Sequence, residues 1–252
     1  MLNTILHGDA TDRPPLLIVH GLFGSARNWG VIARRLSDER QVITVDQRNH
    51  GASDWTDSHD YPGMAADLAD VIEAHGGRAD VVGHSMGGKA AMVLALTRPE
   101  LVNRLLVADV APVTYTHSQM ENIDAMRAVD LSSCEKRSDA AEQLSRHIPD
   151  PQLQAFFTQS LDLREKRWTL NLDLLARDMD KIIGFPKMEG QFDQPTLFLS
   201  GADSDYVQRE HRDDIKALFP AARFAKIPGA GHWLHAEKPR EFEAAVRAFL
   251  AA

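Results

Sequence analysis

A serine between glycines, Ser85 in the stretch GHSMGG, has the residue type and spacing of an enzymatic nucleophile. Residues 83–87 fit the pattern G-x-S-x-G, in which a sharp turn from strand to helix exposes a serine hydroxyl. Small flanking residues are needed because chain segments approach closely at such a strained turn. The N–H groups at the start of the next helix, Met86 first among them, would face the negative oxygen of an acyl-transfer intermediate. The stretch therefore predicts nucleophilic acyl chemistry at Ser85.

The same residues allow two other interpretations. Residues 83–89 also match G-x-x-x-x-G-K, the phosphate-binding loop of nucleotide hydrolases. That loop needs a Ser or Thr hydroxyl for Mg²⁺ after its lysine, whereas Ala90 follows Lys89 here. A glycine-rich turn with an incidental serine is the purely structural interpretation. We favour the nucleophile, because a histidine-bearing loop follows late in the chain.

That loop is the stretch GAGHW, which places His232 between a predicted last strand and last helix. A histidine in this position can take the serine proton as a general base. His235 is an alternative, although its place beside Glu237 at a helix entrance also suits capping or support. A metal site at the two histidines lacks a third ligand at useful spacing and an H-E-x-x-H motif. We therefore expect His232 to act as the base, with neither metal nor other cofactor.

A second donor for the oxyanion is expected in the stretch VHGLFGS, residues 19–25, where a glycine turn ends a predicted strand. We expect the backbone N–H of Leu22 to act with that of Met86. A plain turn between strand and helix would be the alternative if Ser85 were absent. Phe23 and Trp233, adjacent to these candidates, are expected to contact substrate.

An acid to orient the histidine could come from the stretch SGADSDYV, residues 200–207. It contains two carboxylates, Asp203 and Asp205, with Ser204 between them. Asp205 and Gln208 also have the spacing of a capping box, and Asp203 suits a turn. These residues alone leave the identity of the acid open.

The elements that must position these residues alternate between short apolar runs and helical periodicity. The predicted strands are LLIVHG (16–21), QVITVD (41–46), ADVVGHS (79–85), NRLLVADVAP (103–112), PTLFLSG (195–201) and RFAKI (223–227). Such alternation predicts a parallel sheet that is covered by helices on both faces. One α/β domain made of residues 1–112 and 187–252 is therefore expected.

Residues 113–186 interrupt this alternation with a polar, helical pattern and no strand signal. Ser132 and Glu135 are spaced as a capping box, and Pro151 follows Asp150 as a first helical residue would. We expect a helical cap inserted into the domain. Its Phe156 and Trp168 could line an acyl pocket, and simple packing is the alternative for both.

Composition excludes some classes of partner. The net charge is −8, the pI is near 5.7, and no basic run is interleaved with aromatic residues, so nucleic acid is not an expected partner. The first residues lack a basic start, and no segment approaches about 18 consecutive apolar residues, so membrane insertion is not expected. The single cysteine, Cys134, suits a reducing compartment. We expect a cytoplasmic monomer or homodimer.

Four stretches, HGLFGS, DQRNHGASD, GHSMGG and GAGHW, together resemble the α/β-hydrolase superfamily over nearly the whole chain. DVAPVTY, GADSDYV and GAGHWLHAEKP are similar to the YbfF-type esterases and the related abhydrolase-domain proteins. The resemblance implies the α/β-hydrolase fold, with a mostly parallel sheet, helices on both faces and a helical cap. It also implies a serine esterase for short to medium acyl chains. A thioesterase, an acyl or carbon–carbon bond hydrolase and a weakly catalytic sensor are alternatives on this fold.

The resemblance also bears on the acid. In the superfamily the acid usually stands three residues beyond a strand-ending glycine, and counting from Gly201 reaches Ser204. Similarity to the YbfF-type group implies Asp109 instead, at the end of the preceding core strand, with Ser204 in its hydrogen-bond network. A carboxylate among leucines and valines needs a partner such as an imidazolium. A solvated Asp109, with Asp203 or Asp205 as the acid, remains the alternative.

Overall fold

The computed structural model describes residues 1–252 and has an α/β architecture around one seven-stranded sheet. The nine strands of the chain are β1 (Thr4–His7), β2 (Leu16–Val19), β3 (Val42–Val45), β4 (Ala79–His84), β5 (Val102–Ala108), β6 (Leu161–Asp162), β7 (Arg167–Trp168), β8 (Thr196–Gly201) and β9 (Ala222–Ile227). The sheet has the order β1-β3-β2-β4-β5-β8-β9, and only β1 runs antiparallel to its neighbour. The predicted, mostly parallel sheet is confirmed.

Helices cover both faces of this sheet. The helices are α1 (Gly30–Leu36), α2 (Tyr61–Ala74), α3 (Met86–Thr97), α4 (Met120–Arg127), α5 (Arg137–Leu144), α6 (Pro151–Thr158), α7 (Leu172–Arg177), α8 (Met179–Ile183), α9 (Arg212–Leu218), α10 (Leu234–Glu237) and α11 (Pro239–Ala251). Helices α2 and α3 belong to the larger hydrophobic core, and α1 and α11 belong to a second one. Because β2 is buried on both faces, its sequence LLIV is apolar without alternation. None of these helices has the length and apolar character that crossing a bilayer requires.

The middle block, residues 113–186, joins β5 to β8 and contains helices α4 to α8. The expectation that it has no strand is wrong, because β6 and β7 pair as a small antiparallel hairpin through Leu161 and Trp168. Two residues per strand are too few to produce a period that sequence patterns can reveal. The edge strand β1 was missed for a similar reason, since it is short and only partly buried.

Helix starts in the middle block follow local capping. The prediction for Pro151 is confirmed: it begins α6, and the Asp150 side chain accepts a hydrogen bond from the Gln152 N–H at 2.8 Å. The capping box expected from Ser132 and Glu135 is wrong. Ser132 lies in a short 3-10 helix, and α5 begins later, where the Asp139 carboxylate accepts the N–H groups of two preceding residues. An Asp side chain is a better acceptor for these N–H groups than the Ser hydroxyl.

Candidate active site

Three predicted residues form a hydrogen-bonded chain beyond the carboxyl ends of parallel strands of the sheet. Ser85 follows β4, Asp109 follows β5, and His232 lies in the loop between β9 and α10. His232 Nε2 is 3.0 Å from Ser85 Oγ, and His232 Nδ1 is 2.8 Å from Asp109 Oδ2. With the Nδ1 proton donated to Asp109, Nε2 is free to accept the Ser85 proton. The arrangement can therefore generate a serine nucleophile.

The turn at Ser85 has the strained backbone that the sequence predicts. Ser85 has φ 52° and ψ −120°, and it is the one residue between β4 and α3. A Cβ atom at Gly87 would lie 2.4 Å from His20 O, and one at Gly83 would lie 2.4 Å from Gly87 O. Both positions therefore require glycine if the hydroxyl is to keep this place. A one-residue turn has no loop to surround a phosphate, so the nucleotide interpretation of residues 83–89 is wrong.

Asp109 is fully buried, yet each of its oxygens accepts hydrogen bonds. Oδ2 accepts from Ser204 Oγ at 2.5 Å and from His232, while Oδ1 accepts from the Gly201 N–H at 3.0 Å. These donors compensate the loss of hydration that burial imposes on a carboxylate. The structure thus brings Asp109, Ser204 and His232 together, and the alternative of a solvated Asp109 is wrong.

The other two carboxylates near this site, those of Asp203 and Asp205, are not part of the hydrogen-bonded chain. Asp203 and Asp205 are exposed, and neither accepts a hydrogen bond from His232. The capping box expected from Asp205 and Gln208 is wrong: the Gln208 amide donates to the Asp205 backbone oxygen at 2.8 Å, and α9 begins only at Arg212. The intervening residues form turns, which place these carboxylates in solvent.

Several side chains that the sequence did not identify hold His232 in place. The ring of Tyr206 stacks on the imidazole with a centroid distance of 3.8 Å and an angle of 18°. His84 Nε2 is 2.8 Å from the His232 backbone oxygen and donates to it. The Glu237 carboxylate accepts the N–H groups of Gly231 at 2.7 Å and Trp233 at 3.2 Å. Of these side chains, only Glu237 could have been identified from the sequence, because it is an acidic residue shortly after the glycine-rich loop that carries His232.

His235, the alternative base, packs inside the protein instead. It is buried, and its ring stacks on Trp29 with a centroid distance of 4.2 Å and an angle of 13°. Burial, with a smaller effect from His232, lowers the pKa of His235 to about 3. A neutral, buried ring that makes no hydrogen bond to Ser85 cannot serve as its base, so this alternative is wrong.

The backbone around the candidate oxyanion donors leaves two N–H groups available. The N–H of Phe23 donates to His50 Nε2 at 3.2 Å, whereas that of Leu22 has no acceptor within the protein. Met86 is the first residue of α3, so its N–H has no partner in the helix. Leu22, Met86 and Ser85 line the same cavity. Their arrangement is suitable for stabilising an oxyanion.

That cavity has a volume of about 270 Å³ and is bounded by both the sheet loops and the middle block. Its lining comprises Gly21, Leu22, Phe23, Tyr61, His84, Ser85, Met86, Lys89, Val110, Tyr115, His117, Gln119, Asn122, Leu153, Phe157, Ile182, Ile183, Tyr206, His232 and Trp233. Phe23 and Trp233 thus have the predicted location. Most of the lining is apolar, with polar groups near the nucleophile and in the first part of the middle block.

Two residues expected in this lining lie elsewhere. The ring of Phe156 packs against Trp233 with a centroid distance of 4.5 Å, and its neighbour Phe157 reaches the cavity instead. Successive side chains on a helix point in different directions, and the sequence did not establish which one faces inward. The Trp168 indole donates to Met126 O at 2.9 Å, away from the cavity. The prediction that Phe156 and Trp168 line the pocket is therefore wrong, and both residues pack against other side chains or backbone.

Lys89 has a different role from that of a phosphate-binding lysine. Its buried Nζ donates to the backbone oxygens of Val113, Ile183 and Gly184 at 2.8, 2.8 and 2.6 Å. The ammonium also lies 4.7 Å from the centre of the Tyr115 ring. Burial lowers the pKa of Lys89 to about 7. With all three hydrogens engaged, the ammonium holds together the two ends of the middle block.

Comparison with known proteins reveals relatives over nearly the full length. Residues 16–245 match the family model described as "Alpha/beta hydrolase family". The chain is 42% identical to the "sn-1-specific diacylglycerol lipase ABHD11" of Mus musculus, over 98% of this chain and 84% of the relative. It is 40% identical to "Esterase YbfF" of Escherichia coli (strain K12), over 94% and 92% of the two chains. A solved structure named "Marine microorganism esterase" superposes with a TM-score of 0.93 at 37% identity, covering 98% of both chains.

Proposed function

The chain belongs to the alpha/beta hydrolase family, and we propose that it is a carboxylesterase whose catalytic residues are Ser85, His232 and Asp109. The observation that carries this assignment is the unbroken hydrogen-bond chain from the Ser85 hydroxyl through His232 to the buried Asp109 carboxylate. Relatives named as an esterase and a lipase support an ester as the substrate.

Acylation would begin when Ser85 Oγ bonds to the acyl carbon of the ester and His232 Nε2 takes the hydroxyl proton. The carbonyl oxygen then becomes negative and accepts the N–H groups of Leu22 and Met86. When the carbon–oxygen bond to the leaving group breaks, His232 returns the proton to the departing alcohol. The acyl group remains on Ser85 as an ester.

Deacylation repeats these proton transfers with water as the nucleophile. His232 takes a proton from water as the oxygen bonds to the acyl carbon, and the proton then passes to Ser85 Oγ as the acid leaves. Asp109 stays ionised throughout and stabilises the imidazolium. Ser204 and Gly201 keep the Asp109 carboxylate in place through their hydrogen bonds.

We propose small-molecule esters with short to medium acyl chains as substrates. The volume of about 270 Å³ and the apolar side chains of Phe23, Phe157 and Trp233 support an acyl group of this size. We further propose that residues 113–186 act as a cap on a core made of residues 1–112 and 187–252. Leu153 and Ile182 support this division, because both belong to the middle block and line the cavity.

A fluorophosphonate probe tests the nucleophile. We expect intact-mass measurement to find one adduct on the folded wild type and none on Ser85→Ala. A series of nitrophenyl esters from acetate to decanoate then measures the acyl preference, and a short-chain diacylglycerol tests the activity named for the mouse relative. Absence of an adduct on folded wild type would contradict the assignment. Slow labelling without hydrolysis of any ester, together with binding of a specific small ligand, would point to a sensor.

Cellular location and oligomeric state stay predictions from the sequence. We propose a cytoplasmic monomer or homodimer. The one cysteine, Cys134, is buried, which is compatible with a reducing compartment. Light scattering after size-exclusion chromatography measures the mass directly, and a trimer or larger assembly would contradict the second prediction.

A further inference from the structure

Phe23 has an unusual backbone conformation next to the proposed oxyanion hole. Its φ is 64°, in the left-handed region that residues other than glycine rarely adopt. It directly follows Leu22, the proposed oxyanion donor, so its dihedral angles set the path of the chain at that donor. A side chain in this conformation carries strain, which surrounding contacts must offset.

Two side chains bind the backbone of Phe23, one on its N–H and one on its carbonyl. The N–H donates to His50 Nε2 at 3.2 Å, and the carbonyl accepts from Ser160 Oγ at 3.2 Å. Both partners are buried, so water does not compete for these bonds. His50 belongs to the turn after β3, whereas Ser160 belongs to the middle block just before β6.

The His50 ring has the tautomer that this contact requires. Its Nδ1 is 3.0 Å from the Arg48 backbone oxygen and donates to it, so Nε2 keeps its lone pair for the Phe23 N–H. The rings of His20 and His59 lie 5.2 and 5.4 Å from it, centre to centre. Burial, together with these two rings, holds the pKa of His50 well below its usual value. The imidazole is therefore a permanent acceptor at neutral pH.

Other contacts join the same loop to the middle block. The Phe23 ring meets the Phe157 ring edge-on with a centroid distance of 5.4 Å. The Asn28 amide donates to Gln159 Oε1 at 2.6 Å. Because Phe157, Gln159 and Ser160 are almost consecutive, one short segment of the middle block lies along the loop after β2.

We propose that His50 and Ser160 are positioning residues of the oxyanion hole, holding the Phe23 backbone so that the Leu22 N–H faces the reacting carbonyl. The middle block thereby takes part in the chemical step, in addition to forming a wall of the cavity. This inference rests on the proposed esterase function. Neither residue lines the cavity, so their effect should be on the rate of the chemical step more than on substrate binding.

Variants at these two positions separate positioning from folding. His50→Leu removes the acceptor, and we expect kcat to fall about tenfold or more with KM within about twofold. His50→Gln places an oxygen near the position of Nε2 and should recover most of the loss. Ser160→Ala removes one neutral hydrogen bond and should lower kcat about fivefold. Leu68→Ala, in α2 and outside the cavity, is the control that lowers the melting temperature while retaining kcat.

The inhibition constant of phenylboronic acid is a second measurement, and a change in protein stability alone does not alter it. Ser85 Oγ bonds to boron and its proton passes to His232 Nε2, which leaves a tetrahedral, negatively charged boronate with one oxygen in the oxyanion hole. The inhibition constant should therefore rise by the same factor as kcat/KM falls. An active wild type with unchanged kcat and boronate affinity in Ser160→Ala and His50→Leu would overturn this inference alone. Should His50→Leu fail to fold, Ser160→Ala decides. A wild type that neither hydrolyses esters nor binds the boronate would overturn the proposed function as well.

Discussion

Replacement of Asp109 by asparagine tests the acid of the proposed triad with almost no change in side-chain size. The carboxylate accepts three hydrogen bonds, from His232, Ser204 and the Gly201 N–H. An asparagine has one oxygen and one NH₂ group, so it cannot accept all three. In one orientation the NH₂ group faces the buried Gly201 N–H, and in the other it faces His232 Nδ1 and the Ser204 hydroxyl.

The two orientations have different consequences for His232. With the amide oxygen toward the imidazole, the tautomer is kept, but the negative charge and the Gly201 bond are lost. With the NH₂ toward it, Nδ1 must accept, and the proton moves to Nε2, where it faces Ser85 Oγ and removes the base. We expect kcat to fall about 10⁴-fold, as for a serine protease with the wrong tautomer, which corresponds to about 5 kcal/mol of activation free energy. The unsatisfied donor should also lower the unfolding free energy by about 1–3 kcal/mol.

The assay is steady-state hydrolysis of nitrophenyl butyrate by wild type and Asp109→Asn, with melting curves to show that both are folded. Asp203→Asn is the matched control: the same change on an exposed carboxylate of the neighbouring loop, for which we expect activity within about twofold of wild type. A folded Asp109→Asn protein with activity within about tenfold of wild type would refute the reasoning, as would a larger loss in Asp203→Asn.

Three further predictions concern stability and selectivity. Burial lowers the pKa of His235 to about 3, so between pH 6.5 and 3 this histidine gains a proton only in the unfolded protein. Urea titrations should show that the unfolding free energy of wild type falls by roughly 2 kcal/mol from pH 7.5 to pH 5, relative to that of His235→Phe. Parallel pH profiles of the two proteins would contradict this. Phe157→Ala enlarges the cavity and should raise the octanoate-to-acetate ratio of kcat/KM roughly tenfold, whereas Trp168→Phe should lower the melting temperature and leave that ratio unchanged. Gly87→Ala places a methyl group against two backbone oxygens and should lower the unfolding free energy by about 3 kcal/mol or more; an unchanged melting temperature would show that the turn can relax.

The parts of the molecule that sequence could predict are those determined by local pattern. Strand β2, which is buried on both faces, appears as the continuous apolar run LLIV, and Ser85 stands within a turn whose glycines are all nearby in the chain. The edge strand β1 and the hairpin of β6 and β7 are too short to show a period. Pattern therefore predicts the central strands and not the peripheral ones.

The parts of the site that the sequence could not predict are contacts between residues far apart in the chain. Asp109 and His232 are 123 residues apart, and only the likeness to a known group indicated their pairing. The bond between Phe23 and His50 joins two loops with no motif in common. Phe157 was missed in favour of Phe156 because periodicity establishes a helix but not its rotation about its own axis when both neighbours are aromatic.

The three hydrogen bonds of Lys89 bear on how this fold can diversify. Since one ammonium reaches Val113 O and Ile183 O, the chain enters and leaves the middle block at almost the same point. Closing a longer or shorter loop between two such neighbouring points changes the chain entropy only slightly. The segment between them can therefore be exchanged or lengthened during evolution without altering the register of β5 and β8. Ser85, Asp109 and His232 all lie outside that segment, so an exchange that keeps the Ser160 contact with Phe23 can change the substrate preference while the triad is inherited unchanged.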